Sequence, residues 1–354
     1  MISSSESRAR IDGCLETIYH SWSKRALEID PLYGELLTQM RTLILRGGKR
    51  QRPYLSYLAY AGMGGTDNDA FFSVAAGLEI FHNFLLIHDD VIDRDHVRYG
   101  GPNLTGVYYH KLLATGCDDT EAAHFAEMAA VLAGDVASSM VRSNIYAAPF
   151  PSQLKLECLR MLDQALFFVG GGEYVDALVP PLGEVPMKYS RILSVYEYKT
   201  ARYSFDLSLQ FGACLSGAKY DTEQLTAFSV PLGIAFQMRD DYIGLFGDKS
   251  KTGKPVTSDL REGKQTILYA LTLELADEAQ KQQLSELYGR RTSSEADLAT
   301  VRQICQNSGA CEALEAEITR YGSKADKALG KIRFQPEYEA ALHRFIETSL
   351  HRDV

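Results

Sequence analysis

VAAGLEIFHNFLLIHDDVID, residues 74–93, changes character without changing its rhythm. Val74, Leu78, Phe81 and Leu85 step by 4, 3 and 4 residues, the repeat of one buried helix face. Four residues past Leu85 the same face reaches Asp89. Asp89 and Asp93 are one turn apart and Asp90 and Asp93 stand at i and i+3, so on a helix the three carboxylates share a side. A carboxylate aimed at a core is costly unless something neutralises it. The spacing therefore predicts a buried helix that ends in a multidentate oxygen site.

A second stretch repeats the pattern. Leu225, Phe228, Leu232 and Phe236 keep helical spacing, Pro231 is expected to kink that helix or mark its start, and Phe236 plus four is Asp240, followed by Asp241 and, further on, Asp248. One Asp-Asp pair is as well explained by a solvated helix end. Two clusters, each closing an apolar stripe, point to a site. Hard oxygen donors without accompanying His or Cys suit magnesium, which keeps waters and is commonly shared with substrate phosphates.

Helical spacing dominates and period-two runs are rare, so the predicted class is all-α. Gly62–Asp69, Gly100–Asn103, Ala148–Ser152, Pro180–Pro186 and Gly247–Pro255 read as short loops between helices. None resembles an interdomain linker, and residues 1–354 are expected to form a single helical domain. Of the 354 residues, 45% are apolar and 23% charged, with a formal charge of -9. That balance excludes a disordered chain and any general attraction to nucleic acid or anionic membrane. Phosphate binding must come from local basic groups.

Cys14, Cys117, Cys158, Cys214, Cys305 and Cys311 show no CxxC pair or zinc spacing and read as reduced, mostly buried thiols. Residues 1–10 are polar, and no uncharged stretch looks long enough to span a bilayer. A cytoplasmic protein without an integral membrane segment is the expectation, and C-terminal Arg352 either closes over the site or, as the simpler reading, lies in a frayed tail.

Basic residues lie where an anion would need them. Gly47-Gly48-Lys49-Arg50-Gln51-Arg52-Pro53 sets Lys49 and Arg52 three apart after two glycines, Arg98 follows Asp93 by five, and Lys199-Thr200, Lys254 and Lys264 come later. Any one of these is more simply a solvated side chain. Together with two acid clusters they make the parts of a metal–diphosphate cage.

In this order the motifs resemble the trans-isoprenyl diphosphate synthases, or polyprenyl synthetases. The match covers roughly Lys49 to Thr266: GGKxxRP, the DDxxD of Asp89 to Asp93 with Arg98, KTA at Lys199 to Ala201, FQxxDD at Phe236 to Asp241, and the lysines of the GK and EGK segments. The resemblance implies an all-helical isoprenoid synthase fold around a central cavity, a homodimer, and magnesium ions carried by both aspartate motifs. By the same resemblance Asp89, Asp90, Asp93, Asp240 and Asp241 are metal ligands or their close partners. Arg98, Lys199, Lys254 and Lys264 would hold an allylic diphosphate, while Lys49, Arg52 and His82 would hold isopentenyl diphosphate. Thr200 and Gln237 would stand beside the reacting carbons with Lys199 and Arg98.

The resemblance places the limit on product length at Phe84, although a helical wheel points that side chain away from the acids and spacing alone reads it equally well as an ordinary core residue. Leu85, one turn before Asp89, is where a growing tail would descend, and a product of fifteen or twenty carbons is implied, twenty being favoured. Three positions depart from the usual pattern: Tyr99 follows Arg98 where a second arginine is common, Gly244 closes the second motif where many members have Asp, and Glu173 stands where Gln is common. Two other readings stay open. One is ionisation of a prenyl diphosphate without condensation, as in terpene synthases, favoured by Tyr99 and opposed by Lys49 and Arg52. The other is a silent regulatory subunit, opposed by retention of both acid clusters.

Overall fold

Residues 1–66, 68–247 and 258–352 are described by a computed structural model. The chain forms two compact units, one of residues 1–160 with 211–218, the other of 161–210 with 219–354.

The first unit is built on α4 (Asp69–Ile92), preceded by α1 (Ser4–Ile29), α2 (Pro31–Arg46) and α3 (Gln51–Gly62) and followed by α5 (Leu104–Ala114) and α6 (Asp119–Ala147). Each start has a side-chain cap where the sequence offers one: Asn68 Oδ1 accepts from Phe71 N at 2.8 Å, Asp30 caps α2 ahead of Pro31, and Asp118 caps α6. These caps satisfy amides the helix itself leaves open. The predicted stripe holds over Val74, Leu78 and Phe81, all buried.

Helix α4 packs along α6, whose buried face is a run of small residues, Ala122, Ala126, Ala130, Ala133, Gly134 and Ala137. Gly134 is required there: a Cβ would stand 2.1 Å from His88 Nε2. By length and composition α4 could cross a membrane, but 72% of its apolar window is buried inside the protein. It is a core helix, and it carries a buried Glu79 paired with Arg50.

The all-α expectation holds with one small exception among the described residues. Val97–Arg98 and Gly101–Pro102 form a two-residue antiparallel ladder. Its turn residues Tyr99 and Gly100 both have positive φ, 55° and 71°, as a tight two-residue hairpin demands.

The second unit takes in the later part of α7 (Ser152–Leu178), then α8 (Tyr189–Val195), a π-helical segment (Tyr196–Asp206) and the start of α9 (Leu207–Leu215). After α10 (Thr222–Phe246) come α11 (Ser258–Glu262), α12 (Ile267–Leu275), α13 (Glu278–Leu287), α14 (Glu295–Asn307), α15 (Ala310–Leu329) and α16 (Pro336–Leu350). Helix α10 is the axis, burying Leu225, Phe228, Leu232, Ala235 and Met238. Pro231 does not begin this helix, as one alternative had it, but lies within it. Gly233 lets the π-helical segment approach, since a Cβ there would lie 2.5 Å from that of Ala201.

The sequence-predicted breaks at 62–69, 100–103, 148–152 and 180–186 all fall at or between helix ends. The break at 247–255 lies largely outside the described residues.

Candidate active site

In the first unit the end of α4 and the hairpin after it bring acid and base together. The expectation that Asp89 is the acid facing the core needs correcting. The last turns of α4 send Phe84, Ile87 and Asp90 inward, while Leu85, Asp89 and Asp93 are half-buried. Asp90, at 2% exposure, is the costly carboxylate, and Arg98 answers it. Arg98 Nε and Nη2 lie 2.8 and 2.6 Å from Asp90 Oδ1, and Nη2 lies 3.1 Å from Asp89 Oδ2. Burial by itself opposes the Arg98 charge, but Asp90 and then Asp89 outweigh it and hold the guanidinium above its ordinary range. Asp89 and Asp93 offer carboxylate oxygens within 4.8 Å of each other, a donor set of the kind magnesium takes.

The basic residues of this unit differ in setting. Lys49 is exposed, whereas Arg52 and His82 are half-buried. Desolvation, then the charges of Arg52, Arg98 and Arg50, push the His82 imidazole well below its ordinary value, so the ring is neutral near pH 7 and can donate or accept. The sign for stability follows. Below about pH 6.5 the unfolded chain takes up a proton that the folded His82 refuses, so stability should fall with acidity, by at most about 1.4 kcal/mol per pH unit. Unfolding measured from pH 7 to 5 should show this slope in the native protein and a flatter one in His82→Gln; equal slopes would contradict the assignment.

Arg50 sits beside this group as a structural cation. Its side chain bonds Asp12 Oδ1 at 2.7 Å, Glu79 Oε2 at 3.2 Å and the Ile44 carbonyl at 2.7 Å. Tyr99 packs its ring on Gly47, where a Cβ would come within 2.6 Å of Tyr99 Cγ. The phenol that replaces the second arginine thus closes over the first glycine of the GGK segment. Phe84 is buried between Phe81 and His88, with ring centroids 5.8 and 5.0 Å away.

In the second unit the polar network is continuous. Thr200 Oγ1 donates to Gln237 Oε1 at 2.7 Å, and Gln237 Nε2 donates to Asp241 Oδ1 at 2.9 Å. The other Asp241 oxygen accepts from the Tyr196 hydroxyl, which itself accepts from the Ile267 amide at 2.9 Å. Burial, then the Asp241 charge, pushes the Tyr196 phenol well above its ordinary range, so it stays a donor. Lys199 Nζ lies 2.7 Å from Asp176 Oδ2 and 3.0 Å from Glu173 Oε2. Glu173, one of the departures, is therefore an ion partner of the KTA lysine.

Asp240 is exposed, and Arg352 Nη2 meets its Oδ1 at 2.6 Å while the guanidinium lies 3.7 Å from the Phe236 ring centre. The expected frayed tail is thus pinned at Arg352 by an ion pair and a cation–π contact. Lys264 is 3.4 Å from Glu262 Oε2. Lys254 and Asp248 lie outside the described residues.

Tyr196 and Asp176 are not legible from sequence as parts of this network, and the sequence does not name a partner for Arg352. The signal for Tyr196 was present, since it stands four residues before Thr200, but only the fold shows what its hydroxyl reaches.

Residues 34–305 match the family model described as polyprenyl synthetase. Among similar proteins, the geranylgeranyl diphosphate synthase of Sulfolobus acidocaldarius is 32% identical over 265 residues, 74% of each chain. The geranylfarnesyl diphosphate synthase of Aeropyrum pernix is 31% identical over 292 residues, 82% of this chain and 85% of its own. The crystal structure of geranylgeranyl pyrophosphate synthase from Corynebacterium glutamicum, complexed with isoprenyl diphosphate and magnesium, superposes with a TM-score of 0.93 at 25% identity, covering 99% of this chain and 100% of that one.

Proposed function

The chain belongs to the polyprenyl synthetase family, and from that membership we propose that it is an all-trans prenyl diphosphate synthase, a prenyltransferase that joins an allylic diphosphate to isopentenyl diphosphate. The observation that supports this most directly is the retention of both carboxylate motifs, each provided with counter-charges or donors: Asp89 and Asp90 by Arg98, Asp240 by Arg352, Asp241 by Tyr196 and Gln237. A silent subunit has no need of either. The family match spans residues of both units, and we read residues 1–354 as one catalytic domain.

Magnesium fits the donor chemistry, which is carboxylate oxygen throughout, and Asp89, Asp90, Asp93, Asp240 and Asp241 are the residues that would hold it. When bound it would neutralise charge on the departing diphosphate, easing ionisation of the allylic carbon. The chain's own groups do the rest. Arg98 compensates the buried Asp90 and pairs with Asp89. Lys199, held by Glu173 and Asp176, is poised to exchange those carboxylates for the allylic diphosphate, joined by Lys264 and, by the family motif, Lys254. Lys49, Arg52 and neutral His82 offer donors to isopentenyl diphosphate. Thr200 and Gln237 fix one another beside the reacting carbons, and apolar walls keep water from the cation.

We assign the enzyme to the cytoplasm as a homodimer. The first assignment is supported by six free thiols among the described residues, of which Cys158, Cys214 and Cys305 are buried. The second is supported by Phe125, Met128, Val131 and Leu132, exposed apolar residues along α6.

The test uses purified protein, magnesium, labelled isopentenyl diphosphate and each allylic diphosphate in turn, with chromatography of the products. A prenyl diphosphate of fifteen or twenty carbons is expected, twenty predominating, and Phe84→Ala should lengthen it. Cyclic or alcohol products without consumption of isopentenyl diphosphate would establish the terpene-synthase reading instead. A product length indifferent to Phe84 would remove that residue from the length limit.

A further inference from the structure

The KTA lysine and threonine lie in an eleven-residue π-helical segment, Tyr196–Asp206. Its backbone bonds run from residue i+5 to residue i, as from Leu207 N to Arg202 O. Such a stretch is rarer than an α-helix and concentrates at functional sites. Something must hold it.

The side chains along one edge provide the means. Arg202 Nε and Nη2 lie 3.0 and 2.7 Å from Glu197 Oε1, five residues back, and Arg202 Nη1 lies 3.2 Å from Asp206 Oδ2. In an α-helix residues five apart are rotated about 140° from one another and do not meet. In the π register residues five apart stack, so the Glu197–Arg202 pair forms there and not in the α register. Asp206, 5% exposed, is anchored in turn, its Oδ1 accepting from Gln210 Nε2 at 2.9 Å, Thr226 Oγ1 at 3.0 Å and Ser229 Oγ at 2.7 Å. The segment is also clasped by two glycines. A Cβ on Gly172 would lie 2.5 Å from Lys199 N, and one on Gly233 would lie 2.5 Å from Ala201 Cβ.

We propose that Arg202 is a positioning residue: by pairing with Glu197 five residues back, with its other edge on buried Asp206, it fixes the π register that lets Lys199 reach Glu173 and Asp176 while Thr200 reaches Gln237. Relaxation to an α-helix would turn Lys199 and Thr200 relative to α7 and α10, and those contacts would not survive together. The catalytic part of this inference rests on the prenyl-transfer reading above; the register itself does not.

Three variants and two measurements test it. Arg202→Met should lower kcat about a hundredfold, the scale of a misplacement near one ångström, and Lys199, released from its carboxylates, should be acetylated severalfold faster by acetic anhydride, read peptide by peptide in a mass spectrometer. Glu197→Ala should do the same. The double variant Glu197→Ala with Tyr198→Glu gives Arg202 a new partner at i−4, the spacing it already has with Asp206, and so restores an ion pair without restoring the five-residue link. It should stay as impaired as Glu197→Ala alone. Recovery of kcat in the double variant would show that any ion pair suffices and would overturn the proposal, as would unchanged Lys199 labelling in Arg202→Met. If the native protein makes no prenyl diphosphate, the functional reading fails by itself and the labelling result alone decides the register.

Discussion

Asp89→Ala and Asp240→Ala are each expected to lower prenyl transfer about a thousandfold or more, with helical circular dichroism near that of the native protein. Loss of charge stabilisation worth several kcal/mol at an ionising diphosphate sets that scale. The structure supplies the second half. Asp240 is exposed, and its pair with Arg352 is of a kind worth at most about 1 kcal/mol to folding. Asp89 leaves behind an Arg98 still paired with Asp90. Folding and turnover therefore separate at these two positions. They do not separate at Asp90, whose buried carboxylate balances a buried guanidinium, so the corresponding variant there would report on both at once. Native turnover in either Asp89→Ala or Asp240→Ala would end the metal-ligand reading for that motif.

The largest effect on stability is expected at Arg50, one residue from the lysine of the GGK segment. Its side chain is 3% exposed, as against 4% for Glu79, and it satisfies Asp12, Glu79 and the Ile44 carbonyl together. Removing one member of such a group strands charge in a low dielectric, at a cost of roughly 3–5 kcal/mol. Arg50→Ala should accordingly unfold about 5 °C lower. The double variant Arg50→Ala with Glu79→Ala should recover part of the loss, because it leaves no uncompensated carboxylate at position 79. If Arg50→Ala melts within about 2 °C of the native protein, or the double variant is worse by the full sum of the singles, the buried cluster is not what holds this part of the unit together.

Glu79 also shows where reading the sequence stopped short. It lies in the apolar run of α4 and was passed over, because a periodicity argument registers which face is greasy and not which charge is answered from another helix. Its partner lies 29 residues earlier in the sequence. Asp90 and Asp89 changed places for a related reason. A stripe of four residues is followed correctly as far as Phe81, but at the end of a helix burial is set by what covers the last turn, and here Arg98 from the hairpin covers Asp90. Tyr196 went unread because tyrosine is common in cores, and its meaning depends on Asp241 lying opposite. Sequence alone cannot choose between a frayed Arg352 and one closed over the site, because a terminal residue has no local pattern; Phe236 and Asp240, more than a hundred positions earlier, decide for closure.

The π-helical register was likewise beyond a single-sequence reading. The Glu197–Arg202 spacing of five has no meaning on an α-helical wheel, and only the observed backbone gives it one.

Local terms were enough for the helical class and for the helix breaks that fall within the described residues. Periodicity, caps and turn residues act over a few positions and are written directly in the chain. Which acid is buried, which base answers it and which backbone register presents Lys199 depend on desolvation and on partners dozens of residues away. Those are properties of packing, and they exist only once the helices have met.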